Sequence, residues 1–280
     1  MRGEIEEHVL ELIAEAALQE QDVQDFEDWA EWFEFNDSLP THTIDGFGEV
    51  SVHARMLDLF DPDQDEASSC NSVYGLSVQF ELGGEPIGEL HALVIDARDL
   101  ELEEYVLPFP PLRGWASTFM NEYGELRPAA ERVWSVQDGE SVIQGCCIKF
   151  ISLAPAFQSQ ALFEYTIRTA LWLAHSVLDA TELPPEIPAV DPRAWRITVD
   201  APTEDQQHIC DDAAWRSVPT SNLVGLRACL AALGAERADG INHGFGEGTI
   251  KPCSHHADVY LLPDLNAPTP EPGRASWRSA

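Results

Sequence analysis

The sequence predicts an α+β domain, and three stretches carry that prediction. Residues 49–57, 73–82 and 86–95 alternate apolar and polar side chains, and Gly83-Gly84 joins the last two runs. Period-two alternation suits a half-buried strand, and a Gly-Gly pair supplies the positive φ angles of a two-residue hairpin turn. Residues 146–174 read as a buried strand (Ile148, Phe150, Ile151, Leu153) stopped at Ala154-Pro155. A polar turn, Gln158-Ser159-Gln160, then opens an apolar-faced helix through Phe163, Ile167, Ala170, Leu171 and Ala174. The third stretch is a strand at 195–199, a helix at 221–233 ended by Gly234 in C-cap position, and a strand at 258–262. A strand feeding a helix through a tight turn leaves first-turn N–H groups unpaired at the positive end of the helix dipole. That makes the turn at 158–162 an anion-binding candidate.

The remaining segments are ordered around this core. Residues 4–19 place Ile5, Leu10, Ile13 and Ala17 at helical spacing, and 24–36 place Phe26, Trp29 and Phe33 on one helical face. Residues 1–45 are therefore expected to form an acidic helical extension packed on the core. Residues 61–69, DPDQDEASS, form a solvated loop that lacks the ligand rhythm of a calcium site. Residues 97–132 are irregular and proline-bearing, an insertion or lid, and a second hairpin centres on Asp138-Gly139. A proline-rich linker covers 182–192, and the tail at 266–280 is expected to be disordered.

Charge sets the class of partner. The chain of 280 residues carries 49 Asp+Glu against 16 Lys+Arg, a formal charge of −33, and its only lysines are Lys149 and Lys251. Such a field repels nucleic acid and anionic lipid, so direct nucleic-acid binding and membrane binding are disfavoured. High-salt adaptation, nucleic-acid mimicry or a cationic partner would each account for it. No signal-peptide layout and no apolar run of membrane length occurs, and six irregularly spaced cysteines read as reduced thiols. A cytoplasmic location is expected. His243, Cys253, His255, His256 and Asp258 gather near the C-terminal strand without paired ligand spacing, so no metal is expected.

Three ordered motifs give the fold an identity. Glu85-Pro86-Ile87-Gly88-Glu89-Leu90 follows the Gly83-Gly84 turn, Leu153-Ala154-Pro155-Ala156-Phe157-Gln158 precedes the polar turn, and Ser221-Asn222-Leu223-Val224-Gly225 opens a helix ending at Leu233-Gly234-Ala235. Over residues 70–265 this order resembles the GNAT superfamily of N-acetyltransferases. The resemblance implies a mixed, twisted sheet with helices on both faces, the domain spanning 46–265. It implies that the strand before the turn splays from its neighbour and that its backbone at Leu153 and Ala154 pairs with the pantetheine arm of acetyl-CoA, a co-substrate. Gln158, Ser159, Gln160, Ala161 and Leu162 would then cradle the pyrophosphate, with Asn222 completing the cofactor set. Ala161 and Phe163 stand where the family has glycines. Cys229 stands where the family has its acid tyrosine, or Leu230 if the count runs back from Gly234. The implied activity is acyl transfer from acyl-CoA to an amine, either a cationic small molecule or a basic protein. The competing reading is a non-catalytic acidic binding or inhibitor protein, for instance a nucleic-acid mimic, on the same scaffold.

Overall fold

Gly83 and Gly84 hold φ of +62° and +85°, the left-handed pair that a tight hairpin needs, and they turn β4 (Asn71–Leu82) onto β5 (Glu85–Ala97). The computed structural model describes residues 32–35, 42–44, 48–58, 71–97, 115, 118–120, 126–134, 143–180, 195–202, 218–238, 258–263, 265 and 277–279. Before that hairpin come β1 (Trp32–Phe35), β2 (His42–Ile44) and β3 (Gly48–Asp58). After it follow α1 (Pro128–Val133), β6 (Ile143–Leu153), a 3-10 turn at Pro155–Phe157 and α2 (Gln160–Ala180). The chain continues through β7 (Trp195–Asp200), α3 (Thr220–Ala232), β8 (Glu236–Arg237), β9 (Val259–Leu262) and β10 (Trp277–Ser279).

Among the described residues, ten strands form one mixed sheet, ordered β10-β1-β3-β4-β5-β6-β7-β9-β8, with β2 sharing an edge of β3 with β1. Each neighbouring pair runs antiparallel except β6 and β7, which are parallel because α2 carries the chain across between them. α3 ends as its Gly234 predicts: φ is +77°, and Ala235 N–H closes onto the Leu230 carbonyl at 2.9 Å.

Two apolar layers sandwich the β6–β7 half of this sheet. On one side Val94, Cys146, Ile148, Ile197 and Val199 meet α2 and α3 through Phe163, Ile167, Leu171, Leu226 and Leu230, all buried. On the other side Trp115 lies so close to β6 that a Cβ on Gly145 would come within 2.5 Å of its ring. Its Nε1 donates to Thr198 Oγ1 at 3.0 Å, and Phe119 and Trp134 extend the layer edge to face. Trp134 in turn donates from Nε1 to the Leu262 carbonyl at 2.7 Å. The described part of 97–132 is thus a second cover for the sheet, with α1 against β8 and β9.

Two segments differ from expectation. Trp32–Phe35, inside the stretch whose aromatic spacing predicts a helix, is a strand paired with β3 and β10. Aromatic residues fit a pleated surface as well as a helix face, and a waiting strand edge decides the choice. The rest of the proposed acidic helices, at 4–19 and 24–31, lies outside the described residues. Within the tail expected to be disordered, Trp277–Ser279 pairs with β1. The Asp138-Gly139 turn and the 61–69 loop also lie outside the described residues.

Candidate functional site

β6 changes partners halfway along its length. Its residues Gln144–Ile148 pair with Trp195–Val199 of β7 on one edge and with β5 on the other. Beyond Ile148 the pairing with β7 stops, although β6 continues to Leu153 and stays paired with β5 to Gly88. Lys149 is the cause: Ile148 pairs with Ala92 and Phe150 with His91, so Lys149 is an extra residue. A bulge of this kind bends the strand and steepens its twist, which swings the distal half of β6 away from β7.

Side chains take over the edge that β7 leaves. Ala154 N–H donates to the Ile87 carbonyl on the β5 side, so the Leu153 backbone groups point the other way. There Asn222 Oδ1 accepts from Leu153 N–H at 2.8 Å, and its Nδ2 donates to the Ile151 carbonyl at 3.0 Å. Gln158 Nε2 donates to the Leu153 carbonyl at 2.9 Å. Asn222 is fully buried in the first turn of α3. Its primary amide offers one acceptor and two donors, so it mimics the next strand for one residue pair. Without it, buried backbone groups would be left unpaired.

The start of α2 faces solvent directly after this edge. Ser159 caps it: its Oγ accepts from Leu162 N–H at 3.2 Å, and its carbonyl accepts from Phe163 N–H at 3.0 Å. Ser159, Gln160 and Ala161 are exposed, whereas Leu162 and Phe163 are buried. Phe163 turns inward against α3, where a Cβ on Gly225 would stand 2.8 Å from its Cε2. Phe163 is therefore buried and forms no part of the exposed surface of the turn. Ala154, between β6 and the 3-10 turn, is half-buried.

The structure brings Leu153, Ala154, Gln158 and Asn222 together at the end of β6, with 159–162 next to them. Cys229 stands apart. It has no exposed surface and carries its thiol between α3 and α2. Burial pushes that thiol up to about 11, the nearby Glu164 carboxylate adds to the rise, and Arg168 opposes it. Cys229 is thus a protonated, enclosed thiol at neutral pH.

A second polar group occupies the opposite face at the point of parting. Lys149 Nζ donates to Asp200 Oδ2 at 3.3 Å, with side chains 13% and 6% exposed. Lys149 is the first residue of β6 past its last β7 pair, and Asp200 is the corresponding residue of β7. Burial pulls the Lys149 ammonium down, but the Asp200 carboxylate and then Cys147 outweigh it and hold it above the usual lysine range. Burial raises the Cys147 and Cys146 thiols. Asp200 Oδ1 is buried and has no hydrogen-bond partner among the described residues. Sequence reasoning passed over this pair. The scarcity of lysine was the available signal, since one of only two lysines sits inside a strand of apolar residues.

Among the described residues no group of three or more His, Cys, Asp or Glu could hold a metal ion. His243, Cys253, His255 and His256 lie outside those residues, and Asp258 pairs with Arg237 at 2.6 Å. No helix among the described residues is long and apolar enough to cross a membrane. In comparisons with known proteins, no family model, no curated protein and no solved structure matches this chain.

Proposed function

We propose that this chain is an N-acyltransferase of GNAT-like fold that moves an acyl group from acyl-CoA to an amine. The observation that carries the reading is the parting of β6 from β7 after Ile148, immediately before the exposed start of α2. A parted parallel pair opens an extended slot, and the helix start beyond it offers first-turn N–H groups to a phosphate. The order of elements around the slot, an antiparallel meander, a helical crossover and β9 between β7 and β8, supports the same assignment. Acyl-CoA would supply the activated thioester. The chain's own residues would hold it: Gln160 and Ala161 amides at the phosphates, Ser159 fixing the helix start, and the β6 edge at Ile151 and Leu153 along the arm. Cys229 has no place in this chemistry because it is sealed between α2 and α3.

At the helix start Ser159 Oγ already takes the Leu162 N–H, which leaves the Gln160 and Ala161 amides for the phosphates, and at the strand edge the fit is conditional. Asn222 and Gln158 already satisfy the backbone groups that an extended ligand would use. Entry of an acyl-CoA arm requires the Asn222 amide to turn from the strand to the ligand. That same saturation favours a second reading, a non-catalytic acidic binding protein whose slot is closed by its own side chains.

Thermal unfolding with and without acetyl-CoA separates the two. A ligand that binds only the native state stabilises it by about 2.7 kcal/mol at a hundred times its Kd. The acyltransferase reading expects a melting temperature that rises with acetyl-CoA concentration. An unchanged melting temperature at millimolar acetyl-CoA would sink it and leave the binding-protein reading.

A further inference from the structure

We propose that Asp200 is the docking group for an N–H-bearing amine, with Oδ2 held by Lys149 and Oδ1 left to accept the ligand's hydrogen bond. Calling that amine the acyl acceptor rests on the acyltransferase reading; the contact itself does not. A buried carboxylate oxygen without a donor is destabilising, because its hydration has been lost and nothing replaces it. Proteins rarely leave such a group bare without a purpose. Here the bare oxygen belongs to a side chain 6% exposed, on the first β7 residue past its last pair with β6. The strands separate there, so the orphan acceptor lies at the point where β7 parts from β6.

The surrounding groups restrict what can bind. Lys149 donates to one oxygen of the carboxylate and leaves the other without a donor. Thr198 Oγ1 accepts from the Trp115 indole N–H and its hydroxyl hydrogen-bonds the Cys147 sulfur, so Asp200 Oδ1 is left without a donor among the described residues. The ligand must therefore bring its own N–H. The Lys149 ammonium beside it offsets much of the carboxylate charge, so charge alone holds a cation there only weakly. The site selects primary or secondary amines over quaternary ammonium, which has charge but no N–H to donate.

The test uses the full chain and two probes of matched charge, n-butylamine and butyltrimethylammonium, measured by titration calorimetry and melting temperature. The wild type is expected to bind n-butylamine and to ignore the quaternary probe. Asp200→Asn should weaken n-butylamine by about tenfold or more, the worth of a charge-assisted hydrogen bond. Equal binding of the two probes, undiminished binding in Asp200→Asn, or no binding of n-butylamine by the wild type overturns the proposal. Should Asp200→Asn fail to fold, Lys149→Gln decides. Removing the competing cation should tighten n-butylamine several-fold, and unchanged or weaker binding overturns the assignment. Acetyl-CoA titrated in parallel keeps the two ideas apart. Asp200-dependent amine binding without an acetyl-CoA response upholds this site and removes the acyltransferase reading. An acetyl-CoA response without amine binding does the reverse.

Discussion

The two halves of β6 are one strand in two different situations. The half from Gln144 to Ile148 has backbone on both edges, β5 on one side and β7 on the other. The half from Lys149 to Leu153 keeps β5 but exchanges β7 for the amide side chains of Asn222 and Gln158. Backbone partners repeat at every second residue and fix a register along the whole strand. Side-chain partners satisfy single groups and can rotate away without unzipping a ladder. The sheet thus has a fixed end and an end whose edge is held by movable groups, and the Lys149–Asp200 pair marks the boundary between them.

The comparison breaks first at its hinge. Lys149→Met strands the buried Asp200 carboxylate, and removing one partner of a buried pair costs about 3–5 kcal/mol; urea unfolding should show the loss, and a loss under about 1 kcal/mol would mean that the pair is well hydrated. Asn222→Ala should cost about 1–3 kcal/mol by leaving two backbone groups unpaired. Amide hydrogen exchange sharpens that test: Leu153 should exchange faster in the variant, while Cys147 in the doubly paired half keeps its protection. Ser159→Ala removes the helix cap beside the slot and should lower stability by about 1 kcal/mol, read from the melting temperature. Cys229 gives the smallest effect at neutral pH, because its thiol is protonated in both folded and unfolded chains there. Its folded value, about 11, lies above the ordinary 9.0, so its contribution is fully present below pH 9 and fades as pH rises toward 11. Cys229→Ala should flatten that alkaline part of the stability–pH curve; an identical decline in the variant would assign the alkaline loss to other groups.

Much of the domain was legible because local rules governed it. Gly83-Gly84 needed positive φ, Gly234 needed a left-handed C-cap, and the alternation at 49–57, 73–82 and 86–95 matched the strands found there. The strand–turn–helix order around Gln158–Leu162 was also readable along the chain, whereas the contact of Asn222 with the β6 backbone was not. Trp32–Phe35 was not, since its spacing suits a helix face and only a strand edge supplied from elsewhere decides otherwise. Lys149 and Asp200 were hidden for a similar reason. They lie 51 positions apart, and nothing local says that a bulge in one strand and the end of another will meet. The inward turn of Phe163 depended on Gly225, a vacancy on a different helix.

β10 has a consequence for how this protein is made. Residues Trp277–Ser279 pair with Phe33–Phe35 of β1, so β1 is covered by residues far along the chain. A ribosome makes β1 long before that cover. Until β10 emerges, the nascent β1 edge is open, the kind of surface that recruits stray strands.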